Sequence, residues 1–252
     1  MDEQMNTEVQ QSTDIAGVKD YNSFKKYFGV LFEPVKAFQA IKEKPNFIFP
    51  TVIMIIAVCI STYFTLPYQD EIKAYTYELM GISADHPMMQ NQAQIPNALT
   101  IALTMGGAIV LAIIGWLIMA VICRLFSMIF VGEGKYKHDL SIFANTYVFT
   151  LLGTLISCIL LIVTKDPAKM NTNLSLFFPF LDHSGFMFWF TTNINIFTFI
   201  GLIFAVVGIS IVENIKKYQA ALMVFVPWLI GKAAAAAYYA LFTIPMLQKM
   251  IG

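Results

Sequence analysis

Five stretches of the chain are apolar almost without interruption: residues 47–67, 98–123, 140–163, 193–212 and 220–242. At about 1.5 Å of rise per residue, each reaches roughly 30 Å or more as a helix, enough to cross a bilayer's hydrocarbon core. Backbone polar groups at that depth must be paired within the segment, so the five are predicted as helices. The alternation of a lipid-facing barrel strand is absent. The second run continues past Arg124 to Val131. The predicted fold is an all-α integral membrane protein, a five-span transmembrane helical bundle.

The pattern differs ahead of the first span. Residues 1–22 are polar and almost free of aromatic side chains, which predicts a disordered cytoplasmic tail. Over residues 23–46, Phe24, Phe28, Leu31, Val35, Phe38 and Ile41 recur at spacings of three and four, while Lys25, Lys26, Lys36, Lys42 and Glu43 fall elsewhere around the axis. That is an amphipathic interfacial N-terminal helix with lysine on its wet side. Pro34 begins a fresh helix, Pro45 ends it, and Pro50 sits in the first turn of the span. This segment is an anchor setting the tilt of the first span, a cytoplasmic docking face built on Phe38, Ile41, Lys36 and Lys42, or both. Residues 47–242 form the membrane domain, and residues 243–252 an outer tail.

Charge then orients the spans. Of the lysines and the single arginine, Lys19, Lys25, Lys26, Lys36, Lys42 and Lys44 precede the first span, Arg124, Lys135 and Lys137 flank the second turn, and Lys216 and Lys217 the fourth. The other side holds Lys73, Lys165, Lys169 and Lys249. Positive charge marks the cytoplasmic side, so the N-terminus is inside and the C-terminus outside. The chain is 58% hydrophobic and 13% charged, against about 25% charged in soluble domains, which agrees with the membrane class. With zero net charge, nothing points to nucleic acid. The first apolar run begins too late for a cleavable leader. Fifteen lysines against one arginine point to an AT-rich bacterial genome, hence a plasma membrane. Cys59, Cys123 and Cys158 all lie in apolar runs and read as small hydrophobes.

Little chemistry is written in the chain. His86, His138 and His183 lie far apart, without metal-ligand spacing. No nucleophile, metalloprotease or phosphate-loop motif is present, so neither catalysis nor a cofactor is expected. Between residues 177 and 190, seven of fourteen side chains are aromatic. They predict a loop on the outer interface, with an aromatic ligand pocket as the alternative. Ile72, Tyr75 and Leu79 share one helical face in the other outer loop. Arg124, at the inner end of the second span, reads as an interfacial anchor reaching lipid phosphates. Lys232 lies near the middle of the fifth span, where a lysine costs about 2.5–3.5 kcal/mol. Its candidate polar partners are Asn195, Thr198, Ser157 and the Met223 carbonyl, which Pro227 deprives of its helical donor. Gly231 and the alanines that follow allow another helix to approach closely.

Three stretches resemble a known family. "LFEPVKAFQAIKEKPNFIFP" is similar to the entry segment of the Yip family, the Ypt/Rab-interacting membrane proteins, in its bacterial form, with Leu31, Pro34, Phe38, Ile41 and Pro45 at the family's positions. "GEGKYKHDLSIFANTYVFTLLGTLI" resembles its short cytoplasmic turn and the span after it, which opens on Asn145 and Tyr147. "NINIFTFIGLIFAVVGISIVENIKKYQAAL" resembles its fourth span, with Asn195 where an acid often stands. The resemblance implies a five-span bundle. The Asp-Leu-Tyr-Gly-Pro motif of the eukaryotic Golgi members is absent, which counts against small-GTPase binding. The expected function is that of a non-enzymatic membrane scaffold or membrane-organising, trafficking-like protein. Its expected partners are the lipid bilayer and other membrane proteins, or a second copy of itself. The alternative is a transporter or permease-associated subunit with a polar cavity around Lys232.

Overall fold

Asn22 caps the first helix by accepting a hydrogen bond from the Lys25 amide at 2.8 Å. Helix α1 (Ser23–Phe32) stops at Glu33, and α2 (Pro34–Glu43) starts on the proline. These elements come from a computed structural model that describes residues 21–82 and 97–251. The tail expected over residues 1–22 lies outside the described residues up to residue 20, as do His86 and the loop 83–96.

Eight more helices follow among the described residues: α3 (Ile48–Thr65), α4 (Gln69–Leu79), α5 (Asn97–Phe130), α6 (Tyr136–Thr164), α7 (Phe186–Thr192), α8 (Ile196–Glu213), α9 (Lys217–Tyr238) and α10 (Ile244–Ile251). Among the described residues, five helical runs are long and apolar enough to cross a membrane: Ile48–Leu79, Ile101–Phe130, Tyr136–Thr164, Ile196–Glu213 and Lys217–Leu247. No strand occurs among the described residues; one isolated bridge pairs Asn173 with Asn195. The all-α membrane fold expected of the apolar runs is the fold observed.

Two ends differ from expectation. The first span does not stop at Pro67. A single 3₁₀ turn, Leu66–Tyr68, accommodates the proline, and α4 continues the run for 32 residues in all, about 48 Å. The fifth span runs on beyond residue 242 as well: a π turn at Tyr239–Thr243 carries α9 into α10. A π turn inserts one extra residue without breaking the helix, which an apolar count cannot register.

The chain divides into two compact units. One combines residues up to Ile53 with Ile113–Phe149 and Gly201–Phe225; the other holds Met54–Ala112, Thr150–Ile200 and the chain from Val226 on.

In the first unit, α1 and α2 form a hairpin. A β-carbon on Gly29 would sit 3.2 Å from that of Ala37, so the glycine sets how closely the two helices approach. The hairpin buries Tyr27, Val30, Ala37, Phe38 and Ile41. Phe38 fits a notch in α8 at Gly208, where an added β-carbon would lie 2.7 Å from its ring and 3.0 Å from Ile142. The stripe from Phe24 to Ile41 is therefore not one face. The break at Glu33 turns the second half inward and leaves Phe24 and Val35 exposed. Lys26, expected on the wet side, is buried and donates to the Lys44 carbonyl at 2.6 Å, closing the hairpin.

In the second unit, the loop after α6 packs by its polar backbone and its rings. Leu174 N donates to Ile194 O at 2.8 Å and Ile196 N to Thr172 O at 3.0 Å. Phe188 and Trp189 are buried against Ala236 and Ile244, and Trp189 stacks on Tyr239 at 4.7 Å between centroids. Only part of the aromatic run stays exposed, notably Phe177 and Phe180.

Candidate functional site

The hairpin meets the first span at Asn46, and the third span clamps that junction. Ser141 Oγ accepts from Asn46 N and donates to Asn46 O, both at 2.8 Å. Asn145 Nδ2 donates to the same carbonyl at 2.8 Å and to Ser141 O at 2.7 Å. Both side chains are fully buried, where unpaired polar groups would cost about 1–3 kcal/mol each. The polar opening of α6 thus fixes where the chain turns into its first span. Lys42 adds a second tether, donating to Ile211 O at 3.1 Å.

Phe38 and Ile41 cannot form an exposed docking face, because both are 0% exposed. Lys36 and Lys42 do stay exposed. The apolar residues beside them on the surface are Phe24, Phe32 and Val35, with Phe32 82% exposed. Periodicity cannot separate the two sets, since it marks positions as apolar without saying what covers them.

Arg124 is not free to serve lipid phosphates. Its guanidinium donates to the Gly134 carbonyl and lies 3.3 Å from Glu213 Oε1. Glu213 is 0% exposed and accepts from Ser127 Oγ at 2.5 Å and from Gly134 N at 2.9 Å. Glu133 N donates to the Glu213 carbonyl at 3.1 Å. The loop between α5 and α6 is therefore wrapped around one buried carboxylate. It needs glycine at 132 and 134, because a β-carbon at either would collide with the Glu213 carboxylate. Asp139, in the first turn of α6, is also 0% exposed; its carboxyl stands beside that of Glu213 and meets no donor. Sequence reading passed over both acids. The signal available was two glycines two apart facing a carboxylate at the end of another helix, and the distance of 79 residues between Gly134 and Glu213 hides it.

The candidate intramembrane polar site divides. Asn195 Nδ2 donates to Thr172 Oγ1 at 2.7 Å, and Ser157 Oγ lies 3.4 Å from the same hydroxyl. Thr198 N donates to Asn195 Oδ1 at 3.1 Å, capping α8, and Thr198 Oγ1 pairs with Thr150 at 3.1 Å. Three of the four predicted residues thus share one network, and Thr172 and Thr150 complete it. None of these bonds goes to Lys232, whose ammonium lies 5.9 Å from the Trp228 ring centroid. The Met223 carbonyl has its own partner, the Cys123 thiol at 3.8 Å. Among the described residues, a β-carbon placed at Gly231 would meet nothing within 4 Å from another element; close helix approaches are found instead at Gly153 against Phe197, Gly201 against Thr146 and Gly208 against Phe38.

Among the groups of the hairpin and its approach, outside the spans, Tyr21, Glu33 and Lys26 are perturbed. Tyr21 donates to Glu33 Oε2 at 2.7 Å, and burial together with that carboxylate pushes its phenol up to about 12. The Tyr21 hydrogen bond, then Lys36, holds Glu33 below the ordinary carboxylate range. Burial lowers the Lys26 ammonium from its usual value, and neighbouring Lys44 lowers it further.

No metal-binding group of three or more histidine, cysteine or acidic side chains occurs among the described residues. No curated protein and no solved structure gives a match. A family model, the Yip1 domain, matches residues 28–238. That match begins inside α1 and ends with α9, so it takes in most of the hairpin, the clamp at Asn46, the loop around Glu213, four of the apolar runs and the fifth as far as Tyr238. The chain belongs to the Yip1 domain family.

Proposed function

We propose that this protein is a non-enzymatic scaffold of the cell membrane, with its N-terminus cytoplasmic and its C-terminus outside, that binds other membrane proteins through the exposed face of the α1–α2 hairpin. The reading is carried by one observation. The hairpin is rigidly mounted yet presents an uncovered apolar edge. Phe38 in the Gly208 notch, Lys42 on Ile211 O and the clamp on Asn46 hold it. Phe24, Phe32 and Val35 remain exposed beside Lys25, Lys36 and Lys42. An edge of this composition lies at the inner membrane surface, where lysines meet anionic headgroups and the rings meet acyl chains or the helix of a partner. Pre-ordering matters energetically, because a mounted surface does not lose loop entropy on binding. Without the Golgi-type motif, the partner sought is a membrane protein rather than a small GTPase.

The test is a photo-crosslinker at position 32 in intact membranes. The scaffold reading expects one protein adduct, identified by mass spectrometry, that disappears in Phe32→Glu, Val35→Glu. Both positions are exposed, so insertion is unaffected. Adducts with lipid alone would refute a protein-binding role for this face. A reporter on the C-terminus checks the threading, and a cytoplasmic signal there would overturn it.

A further inference from the structure

The second unit contains a cavity of about 290 Å³ that neither the family nor the hairpin accounts for. Helix α4 lines it with Tyr75 and Glu78, which are neighbours at i, i+3. The loop after α6 adds Phe178 and His183, and α7 adds Phe188 and Thr192. Its walls are fixed. Asn171 Nδ2 donates to the Tyr75 hydroxyl at 3.0 Å, holding that ring, and Phe188 is buried with His183 tilted against it at 4.3 Å between centroids.

One polar group in this lining is unspent. Glu78 makes no ion pair or side-chain hydrogen bond among the described residues, although Asp70, Asp166 and Glu33 all do. The described lining contains no lysine or arginine. The cavity is thus an acid-bearing space walled by aromatic rings. Aromatic faces carry negative potential and attract cations, most strongly where water is displaced. An anion would be repelled by Glu78, and a purely apolar ligand would desolvate it. A volume near 300 Å³ is at the small end of ligand sites, which suits a compact head group.

We propose that this cavity binds the ammonium group of a small organic cation, with Glu78 supplying the counter-charge and Tyr75, Phe178 and Phe188 the aromatic walls. The ammonium comes from a lipid headgroup or from a free amine, and the experiment separates the two. This assignment is independent of the hairpin reading, since no hairpin residue takes part.

The full chain, purified in a non-ionic detergent, is titrated with choline by saturation-transfer NMR. Saturable binding is expected, competed by tetramethylammonium chloride and not by sodium chloride. Glu78→Gln and Phe178→Ala each weaken it about tenfold, the scale of one lost cation contact. Glu71→Gln, on the same helix but outside the lining, leaves it unchanged. In parallel, native mass spectrometry of protein from mixed bilayers measures retained phosphatidylethanolamine against phosphatidylglycerol. Retention of the ammonium lipid that is lost in Glu78→Gln assigns the headgroup; choline binding without such retention assigns a free amine. Glu78→Gln keeps the side-chain shape at an exposed position, and an unchanged gel-filtration profile verifies its fold. The proposal is overturned if neither probe binds, or if binding is the same in Glu78→Gln as in the wild type.

Discussion

Replacing Glu213 by alanine strikes the most concentrated set of interactions in the chain. The carboxylate is 0% exposed and receives Ser127 Oγ, Gly134 N and the Arg124 guanidinium. Removing it leaves a buried hydroxyl and a buried amide without their acceptor and the Arg124 guanidinium without its counter-charge, with only the Gly134 carbonyl to receive it. Counted singly, orphaned donors cost about 1–3 kcal/mol each. The three share one acceptor, so the deletions are coupled, and the net loss is about 3–5 kcal/mol, the usual range for breaking a buried pair. For a chain of this size each 1 kcal/mol moves the midpoint by about 2–4 °C, so Glu213→Ala lowers it by roughly 6–20 °C. Heating in detergent followed by gel filtration with fluorescence detection measures that shift. The loop over residues 132–135 should also become open to proteolysis, because its anchor is gone. A cycle with Arg124→Ala adds the decisive reading. The double variant should lose clearly less than the two single losses combined, since the stranded guanidinium is removed as well. A midpoint within 2 °C (roughly 1 kcal/mol) of the wild type, or strict additivity, would refute the account of a carboxylate-centred loop.

Other residues give sharper single tests. Phe38→Ala empties the Gly208 notch and should cost about 3–5 kcal/mol, seen as release of α1 and α2 in hydrogen exchange while the remaining spans stay protected. Val131 has φ of 58° and is 85% exposed, so Val131→Gly relieves a left-handed β-branched residue and should stabilise by about 1 kcal/mol in the same thermal assay. Lys232→Leu exchanges a contact with Trp228 worth about 0.5–2 kcal/mol for relief of about 2.5–3.5 kcal/mol of insertion cost, so the midpoint should rise; a fall would show that the ammonium has a stronger partner. The Tyr21 phenol is raised from 10.0 to about 12. Its tie to Glu33 is therefore fully present below pH 10 and lost as the pH rises through about 12. The 295 nm phenolate titration of Tyr21→Phe should lack one component that the wild type shows near pH 12, while the still higher phenol of buried Tyr27 is unaffected.

The sequence by itself determined the elements: five runs long enough to span, a helix opened by Pro34 and closed before Pro45, and the family those segments resemble. These are local properties. Helix length, a proline's missing donor and the apolar period act within a few residues, and each can be read without knowing the fold. Only the tertiary structure decided which side chains meet. Phe38 and Val35 look equivalent in the pattern, yet one fills a notch beside Gly208 and the other is open. Asn195, Thr198 and Ser157 come together, whereas Lys232 turns to Trp228. Arg124 finds Glu213 across 89 residues of chain. The physical reason is the solvent. In water an apolar position can be assigned to the core by exclusion, but in a bilayer the lipid is as apolar as a helix interface, so hydrophobicity stops telling inside from outside. What then sorts the faces is close packing at glycines and the pairing of a few buried polar groups, and both exist only once the helices are side by side.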